Sequence, residues 1–253
     1  MTLLRRFIDW NRRHCYALVR RYPRFFHKRS YKDELLRRIR ASLDTGAKTV
    51  LEAGGIDRPL LARGAGFEYV GLDIEDKSTC YDIYDRFLVQ SIEEPIDGSF
   101  DAIVSITLLE HVPNNRAAVA RIFDALVAGG WTHHYVPGKG HPYALILRLV
   151  GPAWQKRLIA VTRAHSVGQT GYPTFFDHCT ARRMAELFRR TGFEEIDVDV
   201  HYGANDYFSF FLPAFVLVTA FEHLCRSLGL SYFASGYVIS GRKPIQPAVH
   251  DAS

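Results

Sequence analysis

Acidic residues and glycines at the ends of two short apolar runs are the first candidates for chemistry. Glu52, Gly54 and Gly55 end the run "TVLEAGG", and Asp73 ends "YVGLD", 21 residues after Glu52. Glycine lets a backbone approach a ligand closely, and an acid at the end of the next strand can accept hydrogen bonds from both ribose hydroxyls. The spacing therefore predicts a nucleotide-type site at these two turns.

Two histidines occupy positions from which they could remove a proton from an acceptor. His111 follows the apolar run "DAIVSI", and His141 lies in "PGKGHPYA". An ordinary imidazole pKa of about 6.5 suits a general base at neutral pH. His111 could equally cap the loop that follows it, so both roles stay open. His133 and His134 would point to opposite faces of a strand, so we expect no metal site there.

Alternating strand and helix patterns must position these residues, which argues for a parallel sheet covered by helices. A helix is predicted from Thr180 as N-cap to Gly192, and another over "NRAAVARIFDALVAGG" is predicted to stop at its glycine pair. Later strands "EEIDVDVHY" and "GYVISG" would complete the sheet. About 14 residues separate the first two strands, so we expect a shortened first helix that starts near Arg58 and Pro59.

The 253-residue chain is 47% hydrophobic, which is enough for one elaborated domain with a large core. Its four scattered cysteines form no disulfide framework, so we expect a reducing compartment. The net charge of +5 is local, because residues 1–29 carry eight Arg and one Lys against one Asp. That segment carries +8 and the remainder −3. A nucleic-acid partner and a membrane surface are both compatible with this distribution.

A basic amphipathic helix that ends near Pro23 is predicted at the start of the chain. One side gathers apolar residues and the other gathers three arginine doublets; the apolar set is Leu4, Phe7, Ile8, Cys15, Leu18, Val19 and Tyr22. No uninterrupted apolar core of signal-peptide length lies between the doublets, so we do not expect a secretory signal. The pattern favours a helix that lies on an anionic membrane.

The predicted domain organisation is a basic segment over 1–45, a catalytic domain over 46–243 and a flexible tail over 244–253. The catalytic domain carries insertions at 138–178 and 203–233, which we expect to form substrate walls or a lid. The second contains "YFSFFLPAFVLVTAF", which is broken by Pro213 and is too short to span a bilayer. Core packing and interfacial membrane contact both remain open for it.

Four ordered motifs resemble those of class I S-adenosylmethionine-dependent methyltransferases of the type 11-like group. They are the acid–glycine turn at Glu52 and Gly54, the acid Asp73, the stretch "SFDAIVSITLLEHVPN" and the turn "LVAGGW". Ile56 and Arg58 stand where the family has two further glycines. The resemblance implies a Rossmann-like, seven-stranded, mostly parallel sheet with helices on both faces.

The resemblance also implies which residues meet S-adenosyl-L-methionine and the acceptor. Cofactor contacts are assigned to Glu52, Gly54, Gly55, Asp73, Ile74, Ser91 and Ile106. Ser91 aligns with an Asp that commonly accepts the adenine amino group in the family. Catalysis is assigned to His111 and His141, and the acceptor pocket to Tyr135, His141 and Tyr143.

The expected function is methyl transfer to an amphipathic or membrane-associated acceptor, such as a lipid, glycan or quinone-like molecule, with oxygen as the acceptor atom. We expect a bacterial, cytoplasmic protein peripheral to the inner face of the membrane. Nucleic acid is disfavoured because no NPPY-like segment, Pro-Cys nucleophile or added RNA-binding domain occurs. The alternatives are a degenerate member that serves as a peripheral-membrane scaffold, and a related transferase that acts on a quinone.

Overall fold

A computed structural model describes residues 3–26, 29–44, 46–146 and 172–245. The helices are α1 (Leu3–Arg21), α2 (Pro23–Phe26), α3 (Tyr31–Leu43), α4 (Cys80–Ile83), α5 (Asn115–Ala125), α6 (Ala181–Thr191) and α7 (Leu212–Ser227). The strands are β1 (Thr49–Ala53), β2 (Glu68–Asp73), β3 (Arg86–Val89), β4 (Phe100–Ile106), β5 (Leu126–Pro137), β6 (Glu194–His201) and β7 (Gly236–Arg242). Short 3₁₀ turns cover Leu109–His111, Asn205–Phe208 and Ser231–Phe233.

All seven strands form one sheet in the order β3-β2-β1-β4-β5-β7-β6. The pairs β1–β2, β1–β4, β2–β3 and β4–β5 are parallel. The order reverses between β1 and β4, which places a topological switch point beside the end of β1. The predicted Rossmann-like sheet is confirmed.

Local capping signals set both ends of α6. Thr180 accepts a hydrogen bond from the backbone N–H of Arg183 as N-cap of α6, and Gly192 ends that helix at φ 109°. The predicted glycine stop of α5 is wrong. This helix ends at Ala125, and Leu126 already begins β5, which runs through Gly129 and Gly130.

The predicted short helix between β1 and β2 does not form. Residues 54–67, all described, contain turns only. Gly54, Gly64 and Gly66 have φ between 79° and 93°, outside the helical region. Ile56 also has a positive φ, 41°, so the start of this segment departs from helical geometry as well. The loop is instead shaped by side-chain bonds to Glu52.

The chain divides into two compact units. The helical unit consists of Met1–Ser30, Pro137–Thr174 and Val200–Tyr237, as far as these are described. The sheet unit consists of Tyr31–Val136, Phe175–Asp199 and Val238–Ser253, within the same limits. The helical unit thus combines α1 with parts of both predicted insertions, while α3 belongs with the sheet. The predicted domain limits remain predictions.

The core of the sheet unit lies around β1, β2 and β4. Its buried members come from α3, from these strands, from β5 and β7, and from the segment before β3: Leu35, Ile39, Val50, Tyr69, Cys80, Tyr84, Ala102, Val104, Tyr135 and Val238. Two of them, Tyr69 and Tyr84, pack at 4.9 Å between ring centroids beneath the end of β1. This aromatic floor supports the first turn of the site.

The helical unit is built on the packing of α1 and α2 against α7. Cys15, Phe26 and Phe215 form a buried cluster, flanked by Leu18, Val19 and Leu212. Asn11 accepts a hydrogen bond from the N–H of Leu212 at 2.8 Å. The predicted apolar stripe of α1 therefore divides: its middle packs on α7, whereas Phe7 stays exposed. Among the described residues, no helix combines the length and hydropathy required to cross a membrane.

All four cysteines are buried thiols without a disulfide. Cys15 and Cys225 lie in the helical unit, and Cys80 and Cys179 lie in the sheet unit. Burial raises the pKa of Cys15 to about 11 and also raises the pKa values of Cys80 and Cys225.

Candidate functional site

The parallel register gathers the predicted cofactor residues at one edge of the sheet. Ala53 pairs with Leu72 on one side and with Ser105 on the other, and Ile106 pairs with Tyr135. The carboxyl ends of β1, β2, β4 and β5 therefore finish at nearly the same level. The turns that follow these strands carry Gly54, Asp73 and Ile106 to a common edge, where ligands bind in open α/β sheets.

Gly54 and Gly55 differ in why they must be glycine. Gly54 has φ 79°, and a Cβ there would lie 3.0 Å from the Leu108 side chain. Gly55 is closed in more tightly, because its Cβ would stand 2.3 Å from the Tyr84 hydroxyl and 2.6 Å from Glu52 Oε1. Gly54 thus satisfies a backbone requirement, and Gly55 lets the aromatic floor approach the loop.

Glu52 is fully buried at the penultimate position of β1. Its two oxygens accept from the N–H of Leu60 at 3.2 and 2.9 Å, and the Tyr69 hydroxyl donates to Oε2. Burial raises the pKa of Glu52 to about 7 against the opposing effect of these bonds. Glu52 therefore fixes the loop after β1 from below. Its predicted contact with a cofactor remains a prediction.

Asp73 ends β2 with a half-buried carboxyl group. Oδ1 accepts from the N–H of Glu75 at 2.9 Å. Burial raises the pKa of Asp73. The neighbouring Ile74 is 64% exposed. An acceptor oxygen and an apolar side chain are therefore available side by side at the switch point.

Ser91 follows β3 and already has local partners. Its Oγ accepts from the N–H of Glu93 at 3.2 Å and donates to the carboxylate of the same residue at 3.4 Å. Glu93 in turn accepts from the N–H of Asn114. Ser91 therefore belongs to a turn that connects β3 to the start of α5, and its predicted role at adenine remains a prediction.

The end of β4 contains an unusual backbone conformation. Thr107 has φ 53°, a left-handed value that L-residues other than Asn and Asp seldom adopt, and its N–H donates to the carbonyl of Tyr135. Such strain concentrates at functional sites. Ile106, predicted to lie near the methyl donor, stands directly before this residue and is half-buried.

His111 closes the 3₁₀ turn after β4 beside a buried acid. Its Nε2 lies 3.7 Å from Oε1 of Glu110, which is longer than a hydrogen bond. Glu110 is buried, and desolvation raises its pKa to about 8. The carboxyl is then mostly protonated at neutral pH, so the pair is not held by charge. His111 remains about one-third exposed.

The backbone around this acid is anchored to the segment before α6. The carbonyl of Glu110 accepts from the N–H groups of Phe175 and Phe176 at 2.9 and 3.1 Å. Asn115 donates to the carbonyls of Leu109 and Asp177 at 2.8 and 2.7 Å. These bonds fix the turn that presents His111.

Tyr135 lies at the end of β5 and is nearly buried. Its ring stacks on Tyr31 of α3 with 3.7 Å between centroids and 11° between planes. The predicted acceptor residue is thus brought to the same edge as Ile106, its pair in the sheet register. Tyr31, more exposed than Tyr135, covers this ring.

His141 and Tyr143 belong to the helical unit. His141 is fully buried, and its Nε2 lies 3.0 Å from Oε1 of Glu222. That oxygen also accepts from the N–H groups of Gly203 and Ala204 at 2.8 and 2.7 Å. His141 therefore ties two chain segments together. Its predicted catalytic and acceptor roles remain predictions.

Tyr143 is the more accessible of the two predicted acceptor residues in this unit. Its ring stacks on Tyr207 at 4.7 Å, and its hydroxyl donates to the carbonyl of Ser235 at 3.3 Å.

His133 and His134 of β5 are buried, and desolvation lowers the pKa of each to about 3. Both are therefore neutral. No metal-binding cluster of His, Cys, Asp and Glu occurs among the described residues.

Sequence reasoning missed three residues at the sheet edge: Tyr31, Thr107 and Glu110. Glu110 stood inside the recognised stretch "LLEHV", and the acid before His111 was a signal that could have been used. The stack of Tyr31 on Tyr135 joins residues far apart in the chain and has no local signal. The left-handed Thr107 also has none, because its residue type does not favour that conformation.

The residues present fit a nucleoside-containing cofactor at this edge. Asp73 offers a half-buried carboxylate that can accept hydrogen bonds, Ile74 an exposed apolar side chain, and Gly54 a left-handed turn after β1. Comparison with protein families agrees. A family model described as "methyltransferase domain" matches residues 20–198, more than half of the chain. The predicted resemblance, the enzyme class and S-adenosylmethionine as cofactor are thereby confirmed.

Solved structures with the same fold include enzymes with different acceptors. A methyltransferase from Archaeoglobus fulgidus described as SAM-dependent matches with a TM-score of 0.52 and 13% identity, over 85% of this chain and 95% of its own. The phosphoethanolamine N-methyltransferase 2 of Haemonchus contortus, in complex with S-adenosyl-L-methionine, matches with 0.51 and 14%, over 96% and 60%. The O-MT segment of StiE matches with 0.50 and 15%, over 85% and 75%.

These likenesses concern the fold alone, because each identity is far below 25%. The chain spans less than two thirds of the Haemonchus contortus protein. No curated protein matches this sequence.

Proposed function

Since the chain belongs to the methyltransferase domain family, we propose that it methylates an oxygen of an amphipathic acceptor held at an anionic membrane surface. The acceptor class covers lipids, glycans carried on lipids, and quinone-like molecules. The observation that carries this proposal is the surface of the helical unit, where exposed aromatic side chains and arginines share one helix. The carboxyl edge of the sheet supports the other part of the proposal, which is methyl transfer.

In this function, the chain's own groups position the cofactor. Asp73 Oδ2 would accept from ribose hydroxyls, Ile74 would pack on an apolar ring face, and the turn at Gly54 would approach through its backbone. S-adenosylmethionine supplies an electrophilic methyl group when bound. Because such a transfer requires an aligned lone pair, positioning and exclusion of water provide much of the acceleration.

His111 would act as the general base for a hydroxyl acceptor. It follows the strand that ends at Ile106 and is partly exposed, so an acceptor can reach its ring. Glu110 beside it is mainly protonated at neutral pH because burial raises its pKa to about 8.

The outward side of α1 is suited to a membrane interface. Phe7 is 50% and Trp10 is 48% exposed, and at 100° per residue they share a side with Leu3. Arg6 and Arg13 flank them on the same helix, and both are exposed. Aromatic residues can enter the headgroup region while each arginine contributes about 1 kcal/mol near an anionic surface.

A second exposed apolar strip belongs to the same unit. α7 packs its inner side on α1 through Phe215 but leaves Leu217, Leu224 and Leu228 mostly exposed. Isolated exposed leucines are ordinary, but two on α7 and a third directly after it, beside a basic helix, form a larger interfacial surface. The two helices together support peripheral binding to a membrane.

The experiment uses vesicles with and without anionic lipid, with the full chain and a double variant, Phe7→Ser with Trp10→Ser. Both residues are exposed, so we expect an unchanged fold and vesicle binding at least about 10-fold weaker, since each side chain loses about 1–2 kcal/mol of interfacial burial. Tyr16→Ser is the matched control, because Tyr16 is 47% exposed on the opposite side of α1. Binding is measured by co-sedimentation and the melting temperature reports folding.

The same vesicles, loaded with lipid, glycan or quinone extracts, are then screened for release of S-adenosylhomocysteine. Release that requires both an extract and intact Phe7 and Trp10 would support the proposal. If the double variant binds anionic vesicles as the parent does, the membrane half of the proposal is wrong.

A further inference from the structure

A basic cleft opens in the helical unit. It encloses about 640 Å³ and is lined by Pro23, Arg24, Arg29, Val200, His201, Tyr202 and Arg226. Three of these seven residues are arginines and none is acidic. No residue of the proposed methyl-transfer chemistry lines the cleft.

The arginines come from two regions of the chain, residues 24–29 and α7, that side-chain packing holds together. Arg24 lies on α2, where Phe26 stacks on Phe215 of α7 at 5.5 Å and Phe25 stacks on His223 at 4.5 Å. His223 precedes Arg226 by one turn of α7. The two stacks therefore fix the backbone that carries Arg24 next to the helix that carries Arg226.

Arg226 is oriented by the wall of the cleft itself. Its Nη2 donates to the carbonyl of Tyr202 at 3.3 Å, and its guanidinium carbon lies 5.5 Å from the centroid of the Tyr202 ring. Neither contact neutralises the charge. A guanidinium held by a carbonyl and an aromatic ring loses less side-chain freedom when a ligand arrives.

The guanidinium groups of Arg24 and Arg226, which line one cleft from two elements, suit a compact, doubly charged anion. A phosphate monoester carries about −1.5 to −2 charges at neutral pH and has three acceptor oxygens. Planar guanidinium donors match phosphate oxygens in pairs. A phosphodiester or carboxylate carries a single charge and would match only one of these two guanidinium groups.

We propose that this cleft binds a terminal phosphate monoester group, supplied by a lipid headgroup or by a soluble ligand. The volume exceeds that of a phosphate group, so the cleft also admits the atoms to which the phosphate is attached. This inference rests on the proposed function only in its lipid source, where the phosphate would hold a lipid at the unit that binds the membrane. Binding of a soluble monoester does not depend on methyl transfer.

The test measures binding with the full chain. Calorimetry with glycerol 3-phosphate reports the soluble source, and co-sedimentation with phosphatidic acid vesicles, against phosphatidylglycerol vesicles of equal surface charge, reports the lipid source. Arg24→Gln and Arg226→Gln should each weaken monoester binding about 10- to 100-fold, as expected for the loss of a charge-assisted bond. Arg20→Gln, on the last turn of α1 and outside the cleft, is the matched control.

The outcomes separate the two proposals. A preference for the monoester that disappears in Arg24→Gln and Arg226→Gln but persists in Arg20→Gln supports the cleft. Equal binding of both vesicle types together with no heat from glycerol 3-phosphate overturns it, even if α1 still binds anionic membranes. Arg226 contacts Tyr202, so Arg226→Gln also changes a contact within the protein. Its effect on monoester binding is therefore compared with that of Arg24→Gln, which changes an exposed side chain. Parent-like monoester binding by Arg24→Gln would also contradict the proposal.

Discussion

The carboxyl edge of the sheet and the outer surface of α1 use charged groups in opposite ways. At the sheet edge, Glu52 is fully buried and accepts bonds from Leu60 and Tyr69, and Glu110 is buried with a raised pKa. On α1, the arginines are exposed or half-exposed to solvent. Buried groups have one geometry, whereas exposed arginines can adapt to any anionic surface.

This difference teaches where single substitutions should matter. A buried and bonded group cannot be removed without leaving its partners unsatisfied, so its loss is large and specific. An exposed charge contributes a small increment that salt screens. Chemistry should therefore fail at individual positions of the sheet unit, and membrane binding should decline in steps along α1.

The largest expected effect is on turnover in His111→Ala. Loss of a general base typically costs about 100- to 10,000-fold in rate, while the affinity for S-adenosylmethionine should stay near that of the parent. Steady-state kinetics with an identified acceptor and calorimetry measure the two quantities. His178→Ala is the control, since His178 has similar exposure and pairs with Asp177. Full turnover in His111→Ala would show that the base is elsewhere or that the acceptor needs none.

A second effect should be visible in the pH dependence of stability. Burial raises the pKa of Glu110 from 4.5 to about 8, so the folded state binds a proton that the unfolded state has released above pH 4.5. The stabilising contribution is therefore complete below about pH 4.5 and is lost as the pH rises through about 8. The free energy of unfolding should fall by up to about 1.4 kcal/mol per pH unit in this window.

Glu110→Gln should flatten that slope, because glutamine stays neutral throughout. Urea denaturation between pH 5 and pH 8 measures it, and Glu186→Gln on the exposed side of α6 should leave it unchanged. The pKa of Glu52 is raised to about 7, so Glu52 would account for any pH dependence of the unfolding free energy that Glu110→Gln retains below that pH. An identical pH profile in Glu110→Gln would mean that this carboxyl is ionised in the folded protein, and the contrast between the two regions would weaken.

The smallest of the three effects is on cofactor affinity. Asp73→Ala removes an acceptor for ribose hydroxyls and should weaken S-adenosylmethionine binding by about 10- to 100-fold. Calorimetry compares it with Asp76→Ala, which changes an exposed acid three residues further along the chain that accepts from Tyr81. If Asp73→Ala binds S-adenosylmethionine as the parent does, the cofactor does not lie at the switch point and the proposed site is wrong.

The sequence predicted what depends on local pattern. Apolar runs located the strands, and Thr180 and Gly192 located both ends of α6 because capping is decided by neighbouring residues. The boundary between α5 and β5 was misplaced, because Leu126 suits a helix and a strand equally. The absent helix after β1 was missed because Glu52 organises that loop through bonds to Leu60, eight residues away.

The candidate site was predictable only in outline. The predicted strand ends placed Asp73 and Ile106 at a shared edge of the sheet, and the register of the paired strands places them there too. The depth of burial that raises the pKa of Glu110, and the stack of Tyr31 on Tyr135, depend on packing between distant segments. His141 looked like an accessible ligand in the sequence, yet it is buried against Glu222.

The four buried thiols can report local opening of the molecule through their rates of alkylation. Thiolates, not thiols, react with alkylating reagents, and burial raises the pKa of Cys15, Cys80 and Cys225. Each thiol therefore reacts with the reagent only when its surroundings open locally. Because two lie in each unit, the labelling rate of Cys15 and Cys225 reports excursions of the helical unit, and that of Cys80 and Cys179 reports those of the sheet unit. A single mass-spectrometric time course can thus follow both units in the unmodified chain.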